Sequence, residues 1–168
     1  MEDIRPPIIE YPFIPIGRTI EYVAIDNPHM LRAKEVARRQ SKDATMPNAS
    51  VIVKGGVIIG EGANGSDWHY DNPCVRVEQN IPSGEGYELC QGCHPNNHSE
   101  PTAITNATEQ ENDTESADLY LWGHWWCCEP CWGAIDEAGI RQVYLLEGSE
   151  NLFNKKSPAN IIGEQFTT

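Results

Sequence analysis

The stretch WWCCEPCWGAIDEAGI, residues 125–140, places three cysteines within five positions, directly ahead of an amphipathic pattern. Cys127 and Cys131 are four apart and Cys128 and Cys131 three apart, so either pair can share one face of a helix. Residues of this kind can make a metal site, a redox pair or a disulfide. Upstream, His98-Ser99-Glu100 sets an imidazole and a carboxylate two positions apart. One histidine and two thiolates supply three ligands, and a catalytic zinc keeps its fourth position open for water. Zinc brings the pKa of that water down towards ~7, and a carboxylate that does not ligate can carry protons. A purely structural site has no use for an acid two residues after a ligand, so Glu100 favours the catalytic form.

Local geometry favours Cys128 and Cys131 over the alternative pair. With Cys128 as N-cap, Pro130 falls in the first helical turn, where its missing N–H costs nothing, and Cys131 is the third helical residue. Cys131, Ala134, Ile135 and Ala138 then form one buried stripe. Both thiols stand at the positive end of the helix, which favours their ionised form. Cys127 lies outside the helix. In the other register, Pro130-Cys131 would need a second cysteine three residues on, where Ala134 stands.

Four further candidate ligands, Cys74, Cys90, Cys93 and His94, could close a structural four-ligand zinc site, with His69 as a replacement for one of them. Free thiols or a disulfide are the alternatives.

The elements that must position these groups are legible in outline. Asn27 as N-cap, Pro28 behind it and apolar residues at Met30, Leu31, Ala33, Val36 and Ala37 predict a helix over 27–41. SVIVKGGVIIGEG predicts a hairpin turning at Gly55-Gly56. Residues 63–95 form a long loop, too long to be idle in a compact domain. A helix over 98–109, a solvated acidic segment, a strand at LYLW, a helix from Cys128 to Gly139 and a strand at RQVYLLEG complete the order. A hairpin followed by β-α-β crossovers implies an α/β sandwich on a mixed sheet. Residues 1–26, rich in proline, read as an extended arm packed on the domain or on a neighbouring subunit, and residues 27–168 as the domain itself.

Twelve basic residues against 25 acidic ones give a net charge of −13, which repels the phosphate backbone that dominates nucleic-acid affinity. No apolar stretch approaches the ~20 residues of a membrane span. The N-terminus has neither the basic start nor the uninterrupted apolar run of a signal peptide. These features read as a cytoplasmic protein, in which clustered Cys and His bind metal or do chemistry more often than they form disulfides.

H-x-E followed by P-C-x-x-C is the signature of zinc deaminases. Together with ARRQSKD, the hairpin VIVKGGVIIGEGANG and CxxCxxAIxxAGI, the motifs here resemble the cytidine and deoxycytidylate deaminases over roughly residues 28–146, and deoxycytidylate (dCMP) deaminase most. The resemblance departs at Cys127, where the family has proline, and at Ser99, where alanine is usual. It implies the cytidine deaminase three-layer α/β/α sandwich, a zinc on His98, Cys128 and Cys131, and Glu100 as proton shuttle. The activity implied is hydrolytic deamination at C4 of a free cytosine nucleotide, dCMP above all; the alternatives are a deaminase of another substrate class (cytidine, dCTP, tRNA adenosine or single-stranded DNA cytosine) and a non-catalytic nucleotide-sensing module on the same fold. It also implies sugar contact by Asn64, otherwise a turn residue, and base stacking by Trp125 and Trp126, otherwise core aromatics. A second structural zinc, a homo-oligomer and a dCTP-type allosteric effector near the GANG loop follow from the same resemblance.

Overall fold

The computed structural model describes residues 13–81 and 85–167. Five strands form one mixed sheet in the order β1-β5-β4-β2-β3. They are β1 (Ile20–Val23), β2 (Ala49–Lys54), β3 (Val57–Ala63), β4 (Asp118–Trp122) and β5 (Gln142–Leu146). β1 and β4 each run parallel to β5, whereas β2 is antiparallel to both β3 and β4. The helices are α1 (Pro28–Gln40), the single turns α2 (Trp68–Asp71) and α3 (Val75–Glu78), α4 (Ser99–Glu109), α5 (Glu129–Glu137) and the short α6 (Ser149–Leu152).

Alternation along β4 sorts the two faces. Leu119 and Leu121 point to one side, where Ile52, Val143 and Leu145 join Ala103 and Ala107 of α4 and Cys131, Trp132 and Ile135 of α5. Tyr120 and Trp122 point to the other side, meeting Val51, Val53 and the buried face of α1, Met30, Ala33, Val36 and Ala37. Helices thus cover both faces, giving the expected α/β/α layering.

Local chemistry explains the element ends. The Asn27 side chain accepts from the backbone N–H groups of His29 and Met30 at 3.0 and 3.1 Å, and Pro28 needs no partner for its nitrogen. Leu31, expected on the apolar stripe, is instead 45% exposed, because the stripe that meets the sheet runs through residues 30, 33, 36 and 37. The hairpin turns on Gly55 and Gly56, both at positive φ (58° and 79°), as a primed turn requires.

The N-terminal arm departs from expectation at one place. Of residues 1–26, the first twelve lie outside the described residues, and residues 20–23 form β1, an edge strand where only an extended arm was expected. Only four residues long and without alternation, it carries no period to be recognised by, and its partner β5 is distant in the sequence. The arm does pack on the domain: Phe13 O accepts from Trp132 Nε1 at 2.9 Å, and Arg18 bridges Asp136 on α5 and the carbonyl of Ile140.

The close approach of α4 to the sheet sets where the helix begins. A Cβ at Gly60 would lie 2.6 Å from Ala107 Cβ, and one at Gly62 would lie 2.6 Å from Ala103 N. The helix therefore rests directly on the backbone of β3. Asn106 and Asn112 fasten it there by donating to the carbonyls of Glu61 and Ile59, each at 2.8 Å. Gly62→Ala should push α4 off the strand and destabilise the fold by about 1–3 kcal/mol, as overpacked cores do. Denaturant unfolding of the variant beside wild type measures it, and an unchanged midpoint would count against this packing.

Candidate active site

Two helix N-termini converge. His98, with extended backbone (φ −73°, ψ 157°), precedes α4, and Cys128 (φ −71°, ψ 163°) precedes α5 in the same conformation. His98 Nδ1 lies 3.3 Å from both Cys128 Sγ and Cys131 Sγ, and the two sulfurs are 3.0 Å apart. This triangle is compact enough for one ion to bind all three atoms, and a Cys2His donor set is a zinc set. Both cysteines are buried while His98 keeps partial exposure, so the group is reachable from solvent.

The electrostatics prepare it for a cation. The hydrogen bond between Cys128 and Cys131 is the largest influence on Cys128; with His98 it overcomes burial and holds the Cys128 thiol down at about 5. The same contact, with burial, drives Cys131 the other way, well above its usual value. Burial lowers His98, but its hydrogen bond to Cys128 and the thiolate's charge outweigh that and leave it raised. A divalent ion would displace the protons of these ligands.

Glu100, 5% exposed, sits in the first turn of α4. Burial raises its pKa, and the charge on Cys128 adds to that. Ser99 Oγ donates to Glu100 Oε2 at 3.4 Å and lies 2.9 Å from Ser50 Oγ on β2. With the Ser99 proton committed to the carboxylate, Ser50 is the donor to Ser99. A serine here ties the acid to the sheet. Cys127 is buried and within hydrogen-bonding reach of Glu100, so the residue standing in place of proline presents a thiol to the carboxylate.

The other sequence candidates divide. Trp126 is 5% exposed and belongs to the core beside Cys127 and Cys128, whereas Trp125 is half-buried and touches the clusters on both faces of the sheet. The Asn64 carboxamide is engaged within the chain. Its Oδ1 accepts from Ser41 Oγ at 2.6 Å and Asn48 N at 2.9 Å, and its Nδ2 donates to Met46 O at 2.9 Å. Beside it opens a cavity of about 260 Å³ whose lining includes Gln40, Lys42, Asn97 and Thr102. His124 was not among the residues that the sequence singled out. Its Nδ1 accepts from the backbone N–H groups of Trp125 and Trp126 at 2.9 and 3.2 Å, which places its proton on Nε2. Burial, then the charge of nearby His98, holds its pKa down to about 4, so a neutral ring shapes the segment leading to the thiols. Only the short spacing to Cys128 hinted at it.

A second group gathers in the long loop: His69, Cys74, Cys90 and Cys93, their ligand atoms all within 4.8 Å of one another. His69 Nε2 is 3.2 Å from Cys90 Sγ, and Cys74 Sγ is 3.6 Å from Cys93 Sγ. His94 is not a member, contrary to expectation. It is exposed and its Nδ1 accepts from Asn96 N at 3.1 Å, because Pro95 starts a 3-10 turn that His94 caps. His69 reaches the group across Gly92, where a Cβ would come within 2.6 Å of the imidazole.

An α/β/α domain with a Cys2His triad and a buried acid at two facing helix N-termini defines a metal-binding domain. The family described as the cytidine and deoxycytidylate deaminase zinc-binding region matches residues 24–147. The chain belongs to that family, and its cofactor is zinc. No curated protein sequence matches it. Among solved structures it is similar to a diaminohydroxyphosphoribosylaminopyrimidine deaminase/5-amino-6-(5-phosphoribosylamino)uracil reductase from Thermotoga maritima, at 25% identity and TM-score 0.43, over 70% of this chain and 28% of that one. The dCMP deaminase of cyanophage S-TIM5 matches at 22% identity and TM-score 0.46, over 70% of this chain and 78% of that one. A guanine deaminase from Bacillus subtilis matches at 24% identity and TM-score 0.42, over 70% and 60%. The chain thus spans little more than a quarter of the Thermotoga protein. Among the described residues no helix is long and apolar enough to cross a membrane.

The geometry of the second group separates the two histidines. His69→Ala should lower the zinc content of purified protein by about one per chain, while His94→Ala leaves it unchanged, by elemental analysis. The reverse order would restore His94 as the ligand.

Proposed function

We propose that the chain hydrolytically deaminates a free cytosine nucleotide, dCMP first among them, to dUMP and ammonia. The observation that carries this is the buried Glu100 beside the His98, Cys128 and Cys131 triad, an acid a structural metal site would not need. Zinc held by those three residues supplies a water acidic enough to act near neutral pH. With that water's oxygen bonded to C4, Glu100 would carry the water's first proton to N3 and its second, from the resulting C4 hydroxyl, to the amine, so that the C4–N bond breaks, C4=O forms and ammonia leaves. Its raised pKa suits a group that must both accept and return a proton. Trp125, with surface still free, is the one of the two tryptophans on which a base can stack. Lys42, beside Asn64 and Asn97 in the adjoining cavity, is paired with Asp67 at 2.9 Å and would have to leave that carboxylate to meet a phosphate. The four ligands His69, Cys74, Cys90 and Cys93 hold a second, structural zinc.

The net charge of −13 supports a free nucleotide over a long nucleic acid. Incubation of the zinc-loaded protein with dCMP, CMP, cytidine, dCTP, cytosine, guanine and a tRNA, following ammonia release, tests the reading. Turnover should be fastest on dCMP, and Glu100→Gln should lower kcat/KM by about 10²–10⁴ with zinc content retained. Turnover of guanine or tRNA alone would transfer the activity to another substrate class; none at all would end the proposal.

A further inference from the structure

The two ligand groups are joined by two stacked side chains. Tyr87 sets its ring 4.8 Å from that of His98 at an interplanar angle of 78°, and the Arg76 guanidinium lies 4.4 Å from the centroid of Tyr87. Both residues belong to the segment that the second group gathers. Arg76 is two positions after Cys74, and Tyr87 three before Cys90, whose N–H donates to Tyr87 O. Arg76 Nε also donates to Glu85 O at 2.9 Å, which draws the start of this segment onto its end.

His98 needs such support. A ligating histidine usually donates its second ring N–H to a carboxylate, carbonyl or water, and this fixes the ring. The hydrogen bonds of the His98 ring are both made by Nδ1, to Cys128 and Cys131, and among the described residues Nε2 has no hydrogen-bond partner. Its orientation therefore depends on packing, and Tyr87 is the ring packed on it.

We propose that the His69, Cys74, Cys90 and Cys93 group is a positioning device for the catalytic site, acting through Tyr87: by pinning Cys74 and Cys90 it holds Arg76 and Tyr87 in a stack that fixes the His98 ring. Tyr87 is a positioning residue here. The inference rests on the reading that both groups hold zinc. Perpendicular ring pairs and cation–π contacts are each modest, yet sufficient together to favour one ring orientation.

The test uses the full chain loaded with zinc, or with cadmium-113, whose resonance separates a three-thiolate site from a two-thiolate one. Tyr87→Leu should move the two-thiolate resonance alone, speed zinc loss from that site to a chelator by about 10–100-fold, and lower kcat with KM little changed. Tyr87→Phe, which keeps the ring, should restore the wild-type resonance and release rate. Cys74→Ser should remove the three-thiolate resonance and shift the other as Tyr87→Leu does, and the double variant should add little to either. A lost second metal with an unmoved two-thiolate resonance overturns the proposal and leaves the two-zinc reading standing. One zinc per chain in fully loaded wild type overturns both. Should Cys74→Ser fail to fold, Tyr87→Leu decides alone: raised KM with unchanged metal release makes Tyr87 a substrate contact and refutes the positioning role.

Discussion

The convergence of two helix N-termini on one point is the constraint around which the domain is arranged. Neither His98 nor Cys128 can adopt helical backbone, since each must turn its side chain inward from the residue just before a helix. The helices must then be held at a fixed separation. Gly60 and Gly62 let α4 lie against the backbone of β3, and α5 packs beside it on the same sheet face through Trp132 and Ile135. Side-chain identity at the glycines is thus as much a matter of the metal group as identity at the ligands.

Charge is distributed on the same plan. A buried carboxylate that feels the charges of Cys128 and His98, beside two thiols and an imidazole in mutual contact, would be costly to ionise together with them without a cation. The chain answers this with opposed shifts: the Cys128 thiol is held down while Cys131 and Glu100 are raised. His124 adds no charge, being held neutral by burial and by its neighbour His98. The site is therefore an acceptor for a divalent ion, with the serine pair Ser50 and Ser99 and the Cys127 thiol arranged to steady the carboxylate.

Features carried by local chemistry were legible in the sequence. Asn27-Pro28, Gly55-Gly56 and the placing of Pro130 between Cys128 and Cys131 each announce a turn or helix start through the conformations they allow, and these residues anchor α1, the hairpin and α5. Features that depend on distant partners were not. β1 is too short to show a period, His69 replaces His94 because the loop folds back over Gly92, and Tyr87 meets His98 only after the segment between them is gathered. His94 looked eligible by adjacency to Cys93, yet Pro95 commits it to capping the next turn.

The pairing of β1 with β5 also bears on the order in which the domain can form. Ile20 pairs with Val143, and Val23 with Leu146, so β1 has no sheet neighbour until β5, the last of the five strands in chain order, has emerged. The hairpin of β2 and β3, with β4 beside β2, can assemble earlier because its contacts are closer in the chain. The ligand triad, complete once Cys131 is available, can therefore be gathered while the opening segment still waits, making closure of the sheet edge a late event in the birth of the protein.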